Sequence, residues 1–237
     1  MVTKSSRWLT PKILIILAVV LFAGNGLYAV PVDKIFTSSG QILPGEEWEN
    51  VFIYNDGTIV NMIGGDVDGI ATYDASMVNV TGGHVNTLDS LEFSIANISG
   101  GYVYGASAWS HAIINFSGNA SAVNIGARDY GTLNMIGGTT NYIGAIDSGI
   151  LNLHGGLVTD SLGVQDFSIV NIYGYDLVKT SIGGRYGYGR VYGFWLDDTP
   201  FTIDLNSSDT YSRINLIPEP SSLIFLTFGS LILKRRR

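Results

Sequence analysis

The chain has 237 residues, of which 14% are charged and 30 are glycine, a composition that excludes coiled coils and favours many short strands joined by turns. It has no cysteine, which excludes disulfide scaffolds, thiol nucleophiles and Cys-ligated metal centres. Residues 30–217 hold 19 acidic and 6 basic side chains, a net charge of −13, and this excludes nucleic acid as a partner because phosphate binding requires Lys and Arg.

Residues 1–29 have the pattern of a secretory signal peptide. Basic residues precede an apolar stretch at 13–23, and small residues follow it as far as Ala29. A helix of these 11 residues spans about 17 Å, against about 30 Å of hydrocarbon in a bilayer, so a lasting membrane anchor is not expected. We therefore predict cleavage after Ala29 and export of the remaining chain.

The middle of the chain is an internal repeat. Seven asparagines with apolar neighbours recur at intervals of 18 or 19 residues: Asn61, Asn79, Asn97, Asn115, Asn134, Asn152 and Asn171. A glycine stands three residues after each of them: Gly64, Gly82, Gly100, Gly118, Gly137, Gly155 and Gly174. An acidic residue stands five residues before the asparagine in six copies: Asp56, Asp74, Glu92, Asp129, Asp147 and Asp166. Such a period indicates stacked repeats.

The repeat predicts an all-β fold, a single-domain parallel β-helix (solenoid) of about seven rungs of 18–19 residues each. A βαβ unit needs about 30 residues, more than one repeat provides. The two residues flanking each asparagine point to the same face of a strand, and nearly all are aliphatic, so they fill the interior. A second apolar position follows six residues after the asparagine and is interrupted at Ser121 and Thr140. The handedness stays open.

The repeated residues receive specific roles. The glycine three residues after each asparagine is expected to supply a left-handed conformation at a corner of the coil. The asparagines are expected to stack as a ladder in which each amide bonds the next. Each acidic side chain is expected to accept a backbone N–H in its own turn. The alternative is a file of Ca²⁺ ions between neighbouring carboxylates, and the segment 64–69 (GGDVDG) comes near the motif of a calcium-binding roll.

The segments beside the repeat are expected to close the ends of the coil, because an open end exposes unpaired strand edges. We predict an N-terminal cap at 30–55, the solenoid repeats at 56–177 and a C-terminal β cap at 178–216. The C-terminal cap is aromatic-rich, and antiparallel pairing is expected there.

Residues 217–237 combine three features of a chain halted during export. They contain a Pro-Glu-Pro motif, an apolar segment at 223–233 and four terminal cations. Cations next to an apolar segment are retained on the cytoplasmic side of a membrane. The motif consists of Pro218, Glu219 and Pro220, and the basic tail consists of Lys234, Arg235, Arg236 and Arg237.

This tail resembles the PEP-CTERM sorting signal of bacterial exported proteins. The resemblance implies processing by an exosortase-type membrane protease, tethering to the inner membrane before processing, and delivery to the cell surface or the medium. It implies nothing about the middle of the chain. The Gly-Gly and Asn pattern of the middle resembles the repeats of autotransporter-type passenger domains.

The sequence offers few residues for catalysis. His84, His111 and His154 occupy unrelated positions in the repeat, so no histidine cluster for a metal or a base is expected. The segment 183–189 (GGRYGYG) lacks the strand-to-helix context of a phosphate-binding loop. Polysaccharide lyases and hydrolases occur among parallel β-helices and need carboxylates with a basic residue, but residues 51–175 contain Arg128 as their single Lys or Arg.

The sequence therefore predicts an exported, non-catalytic structural or adhesive protein of the cell surface or the extracellular polysaccharide matrix, with no metal or cofactor. Extracellular polysaccharide is the expected partner besides the protease. Six aromatic residues are candidates for stacking on sugar rings if they share a face, with packing between rungs as the alternative: Tyr102, Tyr104, Trp109, Tyr142, Tyr173 and Tyr175. The alternative function is a β-helix carbohydrate-active enzyme, a polysaccharide lyase or hydrolase.

Overall fold

The structure, a computed structural model, describes residues 32–218. The predicted signal peptide with Ala29, and the tail from Glu219 through Pro220 to the cations at 234–237, lie outside the described residues. The described part is all-β with one short helix, α1 (Ser208–Ser212). Within these residues, no helix is long and apolar enough to span a bilayer.

Longer and shorter strands alternate along the chain, and each kind forms its own parallel sheet. The long sheet has the order β1 (Val32–Phe36), β3 (Glu47–Ile53), β5 (Asp66–Thr72), β7 (His84–Ser90), β9 (Tyr102–Ala108), β11 (Ser121–Ala127), β13 (Thr139–Ala145) and β15 (Leu157–Val164). The short sheet contains β2 (Gly40–Ile42), β4 (Ile59–Met62), β6 (Met77–Val80), β8 (Ile95–Ile98), β10 (Ile113–Phe116), β12 (Thr132–Met135), β14 (Ile150–Leu153) and β16 (Ile169–Thr180). The chain therefore forms a parallel β-solenoid of about eight rungs.

The long strands bend once, which gives them two outward residues in succession. In β7, Val85 and Leu88 are buried, whereas Asn86 and Thr87 between them are exposed. Residues of a straight strand alternate between faces, so the strand turns between its third and fourth positions. Positions four and six of each long strand then face outward on one side of the solenoid, and positions five and seven face the core.

The core consists of the residues that flank the repeated asparagines, as predicted. All fourteen are at most 1% exposed: Val60, Met62, Val78, Val80, Ala96, Ile98, Ile114, Phe116, Leu133, Met135, Leu151, Leu153, Val170 and Ile172. The short strands pair in register, asparagine opposite asparagine. Each interior column therefore contains apolar side chains in van der Waals contact along the solenoid.

The predicted asparagine ladder is present. Each asparagine from Asn79 to Asn152 donates its Nδ2 to the Oδ1 of the preceding one at 2.8 Å, and Asn171 donates to Asn152 at 2.9 Å. Asn215 adds a further step by donating to Asn171 at 3.1 Å. Every amide inside the ladder thus both donates to and accepts from a neighbouring rung.

The interruptions in the second apolar position have different causes. In β11 the chain has one extra residue before the strand, so Ala122 rather than Ser121 pairs with Val103 and faces the core. In β13, Thr140 itself is fully buried, and its hydroxyl donates to the carbonyl of Tyr142 at 3.0 Å. The buried hydroxyl is satisfied locally, as a buried polar group requires.

The glycines at the corners differ from the prediction in their roles. The left-handed conformation belongs to the second glycine of each pair: Gly65, Gly83, Gly101, Gly138 and Gly156. Among the seven predicted glycines, Gly118 alone has a positive φ, +59°. The first glycine allows close approach of the previous rung, since a Cβ would lie 2.8 Å from the Ile63 carbonyl oxygen at Gly82 and 2.5 Å from that of Ile136 at Gly155. Gly174 lies inside β16 and not at a corner.

Both predicted end segments contain solenoid strands. Within the segment 30–55, β1 and β3 pair in parallel and β2 pairs with β4. The predicted C-terminal cap contains β17 (Arg190–Phe194) and β18 (Pro200–Asp204), which are antiparallel as expected. The last strand, β19 (Ile214–Pro218), returns to the solenoid and pairs in parallel with β16.

Replacement of one ladder asparagine tests the ladder energetics. We expect Asn115→Ala to lower the free energy of unfolding by about 2–3 kcal/mol, since it removes two hydrogen bonds and leaves an unpaired half-buried amide on each side. Asn86→Ala on the exposed part of β7 is the control, with an expected change within about 0.5 kcal/mol. Urea unfolding monitored by circular dichroism measures both, and equal losses would show that the ladder adds nothing specific.

A pair of glycine substitutions separates backbone conformation from crowding. Gly45 and Gly83 have φ values of +86° and +89°, but only at Gly83 would a Cβ meet neighbouring atoms, the nearest at 2.6 Å. We expect Gly45→Ala to cost about 1–2 kcal/mol for the left-handed conformation and Gly83→Ala about 1–3 kcal/mol more for the clash. Thermal unfolding compares the two, and equal destabilisation would contradict the crowding argument.

Candidate functional site

A shallow groove, here called the axial groove, runs along the outward side of the long sheet between two columns of residues. Position four contributes Asn50, Gly69, Thr87, Gly105, Asn124 and Tyr142, and position six contributes Phe52, Ala71, Asp89, Ser107, Gly126 and Gly144. The groove has a depression of about 110 Å³ over β3, β5 and β7 and another of about 140 Å³ over β9, β11 and β13. Both depressions lie where glycines and small side chains leave the sheet surface uncovered.

Trp109 contacts one residue of each depression, Asp89 and Arg128. The indole Nε1 donates to Asp89 Oδ1 at 3.0 Å. The guanidinium carbon of Arg128, on the next rung, lies 4.8 Å from the centre of a Trp109 ring. This cation–π contact and the hydrogen bond hold the indole and the guanidinium in place beside the groove.

Tyr142 lies along the sheet, over two glycines. A Cβ at Gly144 would lie 2.5 Å from the Tyr142 hydroxyl oxygen, and one at Gly163 would also overlap with it. The glycines therefore make room for the ring. Burial raises the pKa of Tyr142 above its ordinary value, while a hydrogen bond with Asn206 and the charge of Arg128 oppose the increase. The phenol is thus neutral at physiological pH, and the side chain of Asn206 from the C-terminal cap lies beside it over Gly163.

Arg128 is a cation without an acidic partner. Within residues 32–218, three ion pairs involve His84, Arg185 and Arg190, and none involves Arg128. Its guanidinium lines the larger depression together with Asn124 and Ser107. The N–H groups that do not face Trp109 are therefore available to an acceptor in the groove.

The acidic residues of the repeat occupy a second corner of each rung, with an unexpected backbone. Asp74, Glu92, Ser110, Asp129, Asp147 and Asp166 all have positive φ values between 53° and 61°. In the first copy of the repeat, Asn55 and not Asp56 has the positive φ. Asn55 lies six residues before Asn61, whereas the corner residue of the other copies lies five residues before its asparagine. Asp and Asn tolerate the left-handed region better than most residues, which explains their recurrence at this corner.

Asp74, Glu92 and Asp166 at this corner accept from the preceding rung and not within their own turn as predicted, whereas Asp56 accepts the N–H of Ala75 from the following rung. Asp74 Oδ2 accepts the backbone N–H of Asn55 at 2.9 Å, and Glu92 Oε2 accepts that of Asp74 at 2.9 Å. The N–H of the left-handed residue points along the solenoid, so the next acid in the column can reach it. These bonds compensate for the stacking of like charges.

Each histidine stacks on an aromatic residue of an adjacent rung. His84 lies 5.2 Å from Tyr102, and His154 lies 4.0 Å from Tyr173, measured between ring centroids. His111 lies between Phe93 and Tyr130 at 5.3 and 5.6 Å. The three histidines are in different columns, as predicted, and the described residues contain no group of three or more His, Cys, Asp or Glu able to hold a metal ion.

The glycine-rich segment 183–189 folds back on a bulge of β15. Arg185 forms an ion pair with Asp160, and the Tyr186 hydroxyl bonds the same carboxylate at 2.8 Å. Asp160 lies where the pairing of β13 and β15 shifts register. No helix follows this segment before α1, which fits the expectation that it is not a phosphate-binding loop.

The six aromatic residues predicted as sugar platforms do not share a face. Tyr102 and Tyr104 are at positions one and three of β9, and Tyr173 and Tyr175 lie in β16. Trp109 and Tyr142 border the axial groove. Asn124 and the groove glycines were not predicted from the sequence, although a signal exists: Ile125-Gly126-Ala127, Ile143-Gly144-Ala145 and Leu162-Gly163-Val164 recur with the repeat.

Larger hollows of about 330 and 420 Å³ lie beside the β17–β18 hairpin. Trp195 stacks on Phe201 at 3.8 Å and donates its Nε1 to the Gly156 carbonyl at 3.1 Å. Hydrogen bonds from Thr199 hold the pKa of Asp197 below its usual value. The Trp195 indole and the Asp197 carboxylate are thus engaged in fixing the hairpin.

The larger depression of the axial groove is lined by neutral residues and by one cation. Its lining, all within residues 32–218, includes Arg128 and Tyr142 but no carboxylate. Glycoside hydrolysis generally uses two carboxylates about 5–10 Å apart. Of the predicted sorting residues, Pro218 is described and is exposed at the end of β19.

Comparison of the chain with protein-family models, with curated proteins and with solved structures finds no match.

The Tyr175–Asp198 hydrogen bond, 2.5 Å long, gives a pH-dependent signal. The Tyr175 hydroxyl donates this bond to the Asp198 carboxylate, which holds the phenolic proton in place. The pKa of Tyr175 is thereby raised to about 12, above the ordinary value of about 10. The hydrogen bond therefore stabilises the cap below pH 10, and this contribution is lost as the pH rises from about 10 to about 12. We expect Asp198→Asn to lower the pH at which Tyr175 ionises to tyrosinate. The contribution of Tyr175 to the tyrosinate absorbance is obtained by subtracting the titration curve of the Tyr175→Phe variant. An unchanged titration curve would contradict the assignment.

Proposed function

We propose that this protein is an exported, non-catalytic structural or adhesive element of the cell surface or the extracellular polysaccharide matrix. The observation that carries the proposal is the axial groove, an extended polar surface on a laddered solenoid. Its larger depression contains hydrogen-bonding groups and an aromatic ring but no carboxylate. Such a surface suits binding of an extended polymer.

Delivery through the C-terminal signal is part of the same proposal. The Pro-Glu-Pro motif begins at Pro218, the last residue of β19. An exosortase-type protease at the inner membrane would therefore find its motif directly next to the folded domain. The net charge of −13 over residues 30–217 favours solubility in the medium after release.

An enzymatic role remains the second candidate because Arg128 and Tyr142 are close enough for the charge of one to affect the other. A general base works best with a pKa near the working pH. Burial raises the pKa of Tyr142, so the phenol is a poor base at neutral pH. Release of reducing ends or unsaturated products from a polysaccharide panel would support the enzyme and contradict the binding role.

Mass spectrometry of the protein from its own host tests export and processing together. We expect a mature N-terminus at Val30 and loss of the residues after the Pro-Glu-Pro motif. Replacement of Lys234, Arg235, Arg236 and Arg237 by Glu is expected to abolish tail removal, because the cations retain this end on the cytoplasmic side. Replacement of the three arginines by Lys preserves the charge and is the control. An intact tail in the wild-type protein would contradict the sorting proposal.

A further inference from the structure

We infer that the axial groove around Tyr142 is a subsite for one uncharged hexose unit of a polysaccharide chain. The subsite consists of Tyr142, Asn124, Ser107 and Arg128, all of which line the depression of about 140 Å³. This inference rests on the proposed function and gives it a defined site and ligand class.

The aromatic platform comes from the way Tyr142 is seated. Its hydroxyl and adjacent ring atoms lie 2.5–2.8 Å from the position of a Cβ on Gly144, so the ring covers a strand that carries no side chain there. The Asn206 side chain lies beside the Tyr142 hydroxyl over Gly163, with Nδ2 and Oδ1 at 2.5 and 2.8 Å from the position of a Cβ there, and limits the ring from the cap side. A ring that lies along a sheet and borders a depression presents an apolar surface on which a sugar ring can pack.

The polar groups around the platform match the hydroxyl groups of a hexose. Asn124 offers an amide donor and an acceptor, Ser107 offers a hydroxyl, and Arg128 offers N–H donors. Asn124 is exposed, and Arg128 has no ion pair within residues 32–218. The larger depression thus combines donors and acceptors with the apolar platform, a combination that orients a ligand in a binding site.

Charge decides between an uncharged and an acidic sugar. Arg128 is the single Lys or Arg of residues 51–175, and Asp129 follows it directly. The net charge of −13 over residues 30–217 repels a polyanion over about one Debye length, about 8 Å at physiological ionic strength. One cation does not offset this field along a polymer, so an uncharged chain is favoured.

The groove continues beyond the subsite in the direction of the solenoid axis. The second depression, lined by Asn50, Thr87 and Asp89, lies in the same two columns three strands away. With about 4.8 Å between strands, the centres of the depressions are about 14 Å apart. An oligosaccharide of several units can therefore contact both, whereas a monosaccharide contacts one.

Binding assays with defined oligosaccharides test the inference. The probes are cellohexaose and maltohexaose as uncharged chains, and an alginate oligomer as the acidic chain. We expect the purified exported protein to bind an uncharged probe with an affinity that changes less than about twofold between low and physiological salt. Tyr142→Ala is expected to weaken binding about tenfold, since the stacking surface is lost.

Two further variants keep the test decisive if Tyr142→Ala disturbs folding. Ser107→Tyr fills the depression from its rim without touching the core and is expected to block binding. Tyr104→Ala removes an exposed tyrosine at position three of β9, outside the groove, and is expected to leave binding unchanged. The thermal midpoint of each variant shows whether a loss of oligosaccharide binding comes from unfolding.

The outcomes separate the subsite from the proposed function. If the Tyr142→Ala and Ser107→Tyr variants bind a probe as well as the wild-type protein does, the subsite is wrong while the adhesive role stands. Preference for the alginate oligomer overturns the uncharged ligand class. If no polysaccharide of the panel binds, the subsite is rejected, whereas export and processing are judged separately from the mature termini.

Discussion

The fixed spacing between neighbouring strands controls the rest of this structure. Parallel strands lie about 4.8 Å apart, so every position of the repeat meets its own counterpart in the next rung. Only residues that tolerate such stacking can recur. Asparagine does so because its amide both donates and accepts, and the ladder of 2.8–2.9 Å bonds from Asn61 to Asn171 is the result. Asp74 and Glu92 at the second corner are tolerated because their carboxylates accept backbone N–H groups of the preceding rung.

The same spacing explains which parts of the fold could be predicted from the sequence. The aliphatic neighbours of each asparagine were predicted as core because two-residue alternation and the 18-residue period fix both face and register. The role of Ala122 was missed because one inserted residue shifts the register after Asn115. Asn215 was missed because it lies 44 positions after Asn171, well outside the 18–19-residue period, which therefore does not predict a returning strand.

The axial groove was harder to predict because it depends on side chains that are absent. Two-residue alternation predicts which residues of a straight strand point outward. The long strands bend after their third position, so positions four and six share a face that two-residue alternation does not predict. The position of Tyr142 further depends on Gly163, one strand away, and on Asn206 in the cap. Repetition of the Ile-Gly-Ala triplet indicates small outward residues, yet it does not indicate which ring lies above them.

The contact between Tyr142 and Asn206 connects the groove to the closed end of the solenoid. The last long strand, β15, is covered by the segment that contains Asn206: the Asn206 N–H donates to the Leu162 carbonyl at 3.1 Å, and the Val164 N–H donates to the Thr210 hydroxyl at 3.0 Å. The chain then forms α1 and β19 before it leaves the described part at Pro218. The residues that cover the strand edge thus also come close to the Tyr142 ring, because Asn206 and the Tyr142 hydroxyl lie side by side over Gly163. The closed end of the solenoid and the larger depression of the axial groove therefore meet at one side chain of β13.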